Sequence, residues 1–146
     1  MLLGIDQILT GEMLKALDEM GHGDMVVMAD AHFTASKLAK KHVVYLPGLS
    51  SPRVMKAVRS VFVPDEYEEF QIGLMASPDT ELLPVQSELI QAADLDPSQA
   101  RLLSRQDFYD RAAQAELIVR TGETRVYGNA LFFKGVTPVD ADRQIS

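Results

Sequence analysis

The sequence predicts a single compact α/β domain with a mainly parallel sheet flanked by helices. Strand and helix patterns alternate along the chain, which favours a layered α/β arrangement. The run Met25–Ala29 is apolar throughout, as in strands that are buried on both faces of a parallel sheet. With 146 residues and 47% hydrophobic content, the chain can bury one core and is too short to need two.

The first two thirds of the chain supply the clearest elements. Met13 and Leu17 recur at helical spacing, and Thr10 is a suitable N-cap residue. Further on, Pro52 suits the first position of a helix that Ser51 would cap. In chain order we expect helices over 10–20, 35–41, 52–62 and 84–93, and strands over 25–29, 43–46 and 70–75.

The last third of the chain predicts one helix and two strands. A helix over 108–115 precedes a strand over 117–120, and a last strand covers 130–133. The two strands are near enough in sequence to pair as a hairpin, so we expect a C-terminal strand pair. Residues 139–146 look like a loose tail.

Charge and composition exclude several classes of function. The 14 basic and 21 acidic side chains give a formal charge of −7, and the densest basic stretch, residues 37–41, has no interleaved aromatic residues, so no nucleic-acid partner is expected. The absence of cysteine excludes disulfides, a thiolate nucleophile and a cysteine-based zinc site. No apolar run approaches the roughly 20 residues that span a bilayer, and no signal-peptide pattern is present, so we expect a cytoplasmic protein with no membrane partner.

Two residues near the first strand are candidates for catalysis. His22 lies between two glycines, on backbone that a ligand can approach closely, and its imidazole can give or take a proton near neutral pH. Asp30 directly follows the apolar strand, and open α/β sheets build their sites beyond the carboxyl ends of strands. Either residue alone also fits an ordinary role, His22 in a loop and Asp30 as a cap.

Three further polar residues are suited to binding a polyol. Arg105 offers a planar fork of donors, Tyr127 an aromatic face and a phenol, and Asn129 an amide that both donates and accepts. Plainer roles are a surface ion pair for Arg105 and a turn for the Tyr-Gly-Asn triplet. The chain has no Gly-x-Ser-x-Gly elbow and no glycine-rich nucleotide fingerprint, so sugar binding and proton transfer are the chemistry that remains.

Histidines at positions 22, 32 and 42, with two aspartates nearby, do not predict a metal site. Zinc ligands usually form tight pairs on one element, such as two histidines one helical turn apart, and a recurrence every ten residues lacks that geometry. We expect His42, beside two lysines, at the surface.

Six short segments occur together in a recognisable order and spacing. They are Met20-Gly21-His22-Gly23-Asp24, Asp30-Ala31-His32-Phe33, Phe108-Tyr109-Asp110-Arg111-Ala112, Thr121-Gly122-Glu123, Tyr127-Gly128-Asn129 and Lys134-Gly135-Val136. Together these segments resemble the L-fucose mutarotase and D-ribose pyranase family. The resemblance covers about residues 8–138.

This resemblance implies a cofactor-independent enzyme that interconverts the anomers or ring forms of a free monosaccharide. It implies that His22 is the proton donor, that Asp30 takes part in catalysis, and that Asp30, Arg105, Tyr127 and Asn129 hold the sugar. The arginine, and the glycine within the Tyr-Gly-Asn triplet, are similar to the fucose branch rather than the ribose branch. The family also forms ring-shaped homo-oligomers, often decamers of two stacked pentamers, with the site between neighbouring subunits.

Other functions stay open at this point. The same residues would suit a D-ribose pyranase or a noncatalytic sugar-binding accessory of a transport or catabolic system. A metal-dependent sugar isomerase could use His22, Asp30 and His32. The sequence does not identify the physiological sugar, because one hydroxyl contact can reverse discrimination, nor does it decide whether His32 or Tyr109 belongs to the site.

Overall fold

The computed structural model describes residues 1–139, and these residues form six strands and five α-helices. The loose tail predicted over 139–146 lies, except for Val139, outside those residues. No helix within 1–139 is long and apolar enough to cross a membrane. The helices are α1 (Gly11–Glu19), α2 (Ala35–Leu38), α3 (Ser51–Arg59), α4 (Pro84–Ala92) and α5 (Arg105–Ala112), with a 3-10 turn at Pro97–Gln99. The strands are β1 (Met25–Ala29), β2 (His42–Leu46), β3 (Ile72–Met75), β4 (Ala100–Leu103), β5 (Leu117–Thr121) and β6 (Ala130–Phe133).

The strands form one sheet in the order β2-β5-β1-β6-β3-β4. β2, β5 and β1 run parallel to one another, and so do β3 and β4. β6 is antiparallel to both of its neighbours. The α/β class and the mainly parallel, helix-flanked sheet that the sequence predicted are confirmed.

The composition of β1 explains why helices cover both faces of the sheet. Successive side chains of a strand point to opposite faces. Val26 and Met28 join the core beneath α1, α3 and α4, whereas Val27 and Ala29 join the core beneath α2 and α5. All four are fully buried. A strand that is apolar at every position therefore requires an apolar layer on each side.

The last two strands do not pair with each other, so the predicted C-terminal strand pair is wrong. β5 has β1 on one edge and β2 on the other, and neither edge is free for β6. β6 instead lies between β1 and β3, with Met25 opposite Phe133. Its reversed direction brings Asn129 to the carboxyl end of β1 and Lys134 to the amino end.

α5 begins at Arg105 rather than at the predicted Phe108. The Ser104 hydroxyl accepts a hydrogen bond from the backbone N–H of Asp107 at 3.1 Å and caps the helix. Arg105 therefore occupies the first helical position directly after β4. The sequence did not predict β4, because this short edge strand is only partly buried and carries the exposed Arg101.

α3 is capped by Ser50, one residue before the predicted Ser51. The Ser50 hydroxyl accepts a hydrogen bond from the backbone N–H of Arg53 at 3.3 Å. The first N–H groups of a helix have no intrahelical partner, so proline is tolerated throughout the first turn. The position of Pro52 therefore could not show whether Ser50 or Ser51 caps the helix.

Gly122→Ala tests the close approach between the loop after β5 and the loop after β2. An ideal Cβ on Gly122 would lie 1.9 Å from the carbonyl oxygen of Pro47, whereas one on Gly48 would meet nothing within 4 Å. We expect Gly122→Ala to lower the free energy of unfolding by about 1–3 kcal/mol, the usual range for overpacking. Gly48→Ala is the control and should change it little. Urea denaturation at a fixed protein concentration compares them, and equal stability would contradict the steric argument.

Candidate active site

A cavity of about 370 Å³ opens where β1, β3 and β4 end and β6 begins. Parallel strands end at the same edge of a sheet, and sites of α/β proteins form there. The volume falls in the range of about 300–1,000 Å³ that is typical of small-molecule sites. The cavity is lined by Asp30, His32, Phe33, Met75, Arg105, Tyr109, Val126, Tyr127 and Asn129. All four predicted sugar-binding residues are among them.

Asp30 and Asn129 form a buried polar pair at this cavity. The side-chain oxygen of Asn129 accepts the backbone N–H of Asp30 at 2.7 Å, and its amide donates to Oδ2 of Asp30 at 2.9 Å. Oδ1 of Asp30 accepts the backbone N–H of His32 at 2.9 Å. The two paired residues are only 5% and 3% exposed. Their orientation is therefore fixed, while each carboxylate oxygen keeps a further lone pair for a ligand hydroxyl.

Arg105 and two aromatic rings form another part of the lining. The Arg105 guanidinium lies 5.5 Å from the ring centroid of Tyr109, which stacks on Phe33 with centroids 5.5 Å apart. Within residues 1–139 Arg105 forms no salt bridge. The surface ion pair considered for Arg105 from the sequence is thus not formed with any of the described residues, and its guanidinium faces the cavity with donors suited to hydroxyl groups.

Tyr127 is held in an unusual backbone conformation. Its φ is +63°, in the left-handed region that bulky residues rarely adopt. The buried Gln86 amide donates to the carbonyl of Met75 at 2.7 Å and to that of Tyr127 at 3.4 Å, which ties Tyr127 to the end of β3. Gly128 follows, where an ideal Cβ would come within 2.8 Å of Glu123 Cγ. Strain that is maintained by its surroundings is a feature of binding and catalytic sites.

The loop that carries Tyr127 is anchored by the buried Glu123. This residue is 4% exposed, and its carboxylate accepts hydrogen bonds from the Arg125 side chain at 3.0 and 3.1 Å. Arg125 also pairs with Glu88 on α4. Burial alone would raise the pKa of Glu123, but hydrogen bonds from the side chain and backbone of Arg125 outweigh it and hold the pKa below its ordinary value.

Sequence reasoning missed both anchors of this loop. Glu123 looks like the last residue of a turn, and Gln86 looks like a polar residue on an exposed helix face. Their burial follows from how the loop after β5 packs against α4, which no local pattern encodes. Val126, Met75 and Phe33 were also missed as lining residues.

His22 lies at the opposite edge of the sheet from this cavity. It precedes β1, whereas Asp30 follows it, and the five-residue strand spans roughly 16 Å at about 3.3 Å per residue. His22 is exposed, and its ring lies 6.3 Å from that of Tyr67. One chain therefore does not bring His22 to the residues that line the cavity.

The other two histidines occupy different surroundings. His32 lines the cavity and its Nε2 lies 3.4 Å from the carbonyl oxygen of Thr124. His42 is exposed at the start of β2, as predicted. In the part of the chain that the structure describes, no group of three or more His, Cys, Asp or Glu side chains is arranged to hold a metal ion.

A larger cavity of about 690 Å³ lies between α3 and α4. Two of its basic side chains are already engaged, because Arg53 pairs with Asp6 and Arg59 donates to the carbonyl of Ala93. None of the predicted site residues lines it. Side-chain chemistry therefore favours the smaller cavity as the functional site.

Residues 3–137 match the profile of the RbsD / FucU transport protein family. The chain belongs to the RbsD / FucU family. It is 40% identical to the L-fucose mutarotase of Glaesserella parasuis serovar 5 (strain SH0165), over 97% of this chain and 100% of that protein. The fucose mutarotase of Streptococcus pneumoniae, solved in complex with L-fucose, is 31% identical with a TM-score of 0.86, over 94% of this chain and 100% of that one. Bacillus subtilis RbsD, solved with D-ribose, has a TM-score of 0.75 at 20% identity, over 94% and 99%, and shares the fold.

Membership of the RbsD / FucU family confirms the resemblance that the six segments indicated. The family fold agrees with the observed sheet and its flanking helices. The roles that the resemblance implied for His22 and for the four cavity residues stay predictions.

Arg125→Met leaves Glu123 buried without its cation. At neutral pH we expect the free energy of unfolding to fall by about 1–3 kcal/mol, the range for an unsatisfied buried polar group, with the lower part favoured because Arg125 is itself 43% exposed and partly screened. The folded-state pKa of Glu123 lies below its ordinary 4.5, so its contribution is complete above that pH and is lost as the pH falls through the folded-state pKa. In that acidic range, the difference in the free energy of unfolding between Arg125→Met and the native chain should become smaller.

Lys15→Met is the matched control for this experiment. It removes an exposed cation that pairs with Glu19 one helical turn away, and it should change the free energy of unfolding little at any pH, because solvent screens an exposed ion pair. Chemical denaturation at neutral and acidic pH measures both variants. A loss in Arg125→Met that stays constant with pH would contradict the assignment of the effect to Glu123.

Proposed function

We propose that the chain is a cofactor-independent mutarotase that interconverts the anomers of L-fucose, or of a closely related sugar, by opening and closing the ring. The observation that carries the proposal is the buried Asp30–Asn129 pair, which lines a small-molecule cavity together with Arg105 and Tyr127. Relatives that are 40% and 31% identical over nearly the whole chain are named fucose mutarotases.

Ring opening of a pyranose needs two proton transfers. The ring oxygen must gain a proton and the anomeric hydroxyl must lose one, after which the free carbonyl rotates and the ring closes on either face. Both protons return when the ring closes, so the reaction consumes no co-reactant. General acid and base catalysis is worth about 10²–10⁴-fold, which is adequate for a reaction that already proceeds slowly in water.

The residues divide this chemistry between them. His22 gives the proton to the ring oxygen, since imidazole exchanges a proton near neutral pH. Asp30 orients the sugar and takes part in proton transfer through the lone pairs that its hydrogen bonds leave unused. Arg105 and Asn129 hold the hydroxyl groups, and Tyr127 relays a proton or stacks on the sugar ring.

In this proposal His22 acts on a sugar that a second copy of the chain holds. His22 and Asp30 lie at opposite ends of β1, so a complete site needs the amino edge of one sheet against the carboxyl edge of another. A ring-shaped homo-oligomer supplies such contacts repeatedly, and the resemblance favours a decamer of two stacked pentamers. We propose the cytoplasm as its location.

L-fucose is favoured over D-ribose as the substrate. Arg105 and Gly128 are similar to the fucose branch, and the relative solved with L-fucose is 31% identical, whereas the one solved with D-ribose is 20% identical. The D-ribose pyranase, the noncatalytic accessory and the metal-dependent isomerase are not favoured by these comparisons.

His22→Gln should lower the rate of catalysed anomer exchange far more than it lowers the affinity for the sugar. Exchange NMR at equilibrium on L-fucose, D-ribose, D-galactose and D-glucose, with and without protein, identifies the sugar whose anomers exchange faster. We expect the largest gain for L-fucose, and a loss of at least about 100-fold in His22→Gln, as for removal of a general acid. The Kd for L-fucose should stay unchanged in this variant. Unchanged turnover would remove His22 from the mechanism.

Arg105→Ala is the complementary control. Arginine is effectively always protonated and cannot be the base, so this variant should weaken L-fucose binding more than it lowers the maximal rate. Binding of L-fucose with no gain in exchange by the native chain would indicate a noncatalytic accessory. Activity that is lost on chelation, with bound metal found by elemental analysis, would indicate a metal-dependent isomerase.

Two inactive variants should complement each other if chains share the site. Co-expressed His22→Gln and Asp30→Asn chains form mixed assemblies, in which some interfaces combine a native His22 with a native Asp30 from the next chain. Random mixing makes about one interface in four fully native, so about a quarter of the exchange rate should return. Separately purified variants, mixed without subunit exchange, are the control. Inactive mixed assemblies that contain both chains would contradict a shared site.

A further inference from the structure

The Lys134 side chain connects the end of β6 to the end of α1. Its ammonium donates to the carbonyl oxygens of Leu17 at 2.7 Å and Met20 at 2.8 Å, and lies 3.5 Å from that of Asp18. An ammonium has three donors, and here all of them face one helix terminus. The Lys134-Gly135-Val136 segment is one of the six that carry the family resemblance.

The sequence of α1 supplies no cation at this end of the helix. The last carbonyl groups of a helix lack intrahelical partners and carry partial negative charge. The last turn of α1 contains no basic residue, and it ends in Glu19, which pairs with Lys15. Lys134 therefore provides, from a different element, the charge that a helix C-terminus favours.

The backbone of Lys134 holds the other side of the same short loop. Its carbonyl oxygen accepts the N–H of Gly23 at 2.8 Å, and its N–H donates to the carbonyl oxygen of Asp24 at 2.9 Å. His22 lies between Met20, which the ammonium binds, and Gly23, which the carbonyl binds. One residue thus contacts the chain on both sides of the histidine.

Lys134 is itself fixed by tight backbone packing. It forms an isolated bridge with Pro64, and the next N–H, that of Gly135, donates to the carbonyl oxygen of Val63 at 2.7 Å. An ideal Cβ on Gly135 would lie 2.2 Å from the carbonyl oxygen of Pro64, so a larger residue does not fit there. Gly135 therefore allows the backbone of this segment to approach Pro64 closely.

We propose that Lys134 is a positioning residue for His22, a role that rests on the proposed mutarotase function. It fixes the loop between α1 and β1 so that an exposed histidine, whose ring lies 6.3 Å from that of Tyr67, meets the sugar held by a neighbouring copy in one orientation. The turn around His22 is closed by Asp24, whose carboxylate accepts the N–H of Gly21 at 2.8 Å and whose N–H donates to the carbonyl oxygen of Gly21 at 3.1 Å. Lys134 adds the contacts that fix this turn relative to α1 and β6. Misplacement of a catalytic group by about 1 Å can cost about 10²-fold in rate.

Lys134→Met tests the proposal, because methionine has nearly the same length but neither the charge nor the donors. We expect the maximal exchange rate for L-fucose to fall roughly tenfold to a hundredfold, with the Kd for L-fucose unchanged, because the sugar-binding residues lie at the opposite edge of the sheet. The decisive measurement is the double variant with His22→Gln. If Lys134 acts through His22, Lys134→Met adds no further loss in that background.

Lys41→Met is the matched control, since Lys41 is an exposed lysine at the same edge that pairs with Glu116. It should leave the exchange rate unchanged. Should Lys134→Met not fold, Lys134→Gln takes its place, because it removes the charge and keeps one donor group. It is compared in the same way, alone and together with His22→Gln. A loss that is additive with His22→Gln, or a parallel loss of L-fucose binding, would overturn the positioning role and make Lys134 a structural residue.

Failure of the positioning role is distinguishable from failure of the proposed function. If the native chain shows no faster exchange for any sugar, the mutarotase function itself is wrong. If the native chain is active and depends on His22 while Lys134→Met keeps the native rate, the mutarotase function stands and the positioning role is wrong.

Discussion

β6 enters the sheet against the direction of its two neighbours, and the residues at both edges of the sheet depend on that reversal. A parallel strand in the same place would bring residue 134 to the cavity and residue 129 to the far edge. The antiparallel strand instead sets Asn129 against Asp30 and Lys134 against the loop of His22. Four buried apolar residues in β6 hold it at the centre of the sheet. The burial of this strand therefore also places the polar residues at its two ends, Asn129 and Lys134.

The buried polar pair at the cavity depends on the apolar core that carries it. Asp30 and Asn129 are 99 positions apart, and their contact depends on the direct pairing of β1 with β6. Closing such a long segment costs conformational entropy, which the burial of apolar strands offsets. By contrast, Tyr127 belongs to a loop whose conformation depends on a few polar anchors. The buried pair suits a fixed reference for the sugar, and the anchors of the loop set Tyr127 beside it.

The sequence predicted those parts of the fold whose signal is local. Strands β1 and β6 were predicted with the bounds that the structure shows, because a short, wholly apolar segment has few alternatives. The partner of β6 could not be predicted, because pairing is decided by which strand edges are left free. The same limit applies to Gln86 and Glu123, whose burial depends on packing between a loop and a helix. Asp30 was accessible to prediction because a carboxylate directly after a buried strand has a known location at the sheet edge.

The separation of His22 and Asp30 along β1 has a further consequence if chains share the site as proposed. Each chain then serves two sugar molecules at once, as the proton donor for one and as the holder of the other. Removing a single chain from a closed ring would disable two sites. The fraction of activity lost would then exceed the fraction of chains lost. A substitution at either end of β1 would then change a site that two chains share, so the geometry of the assembly and the catalytic residues would evolve together.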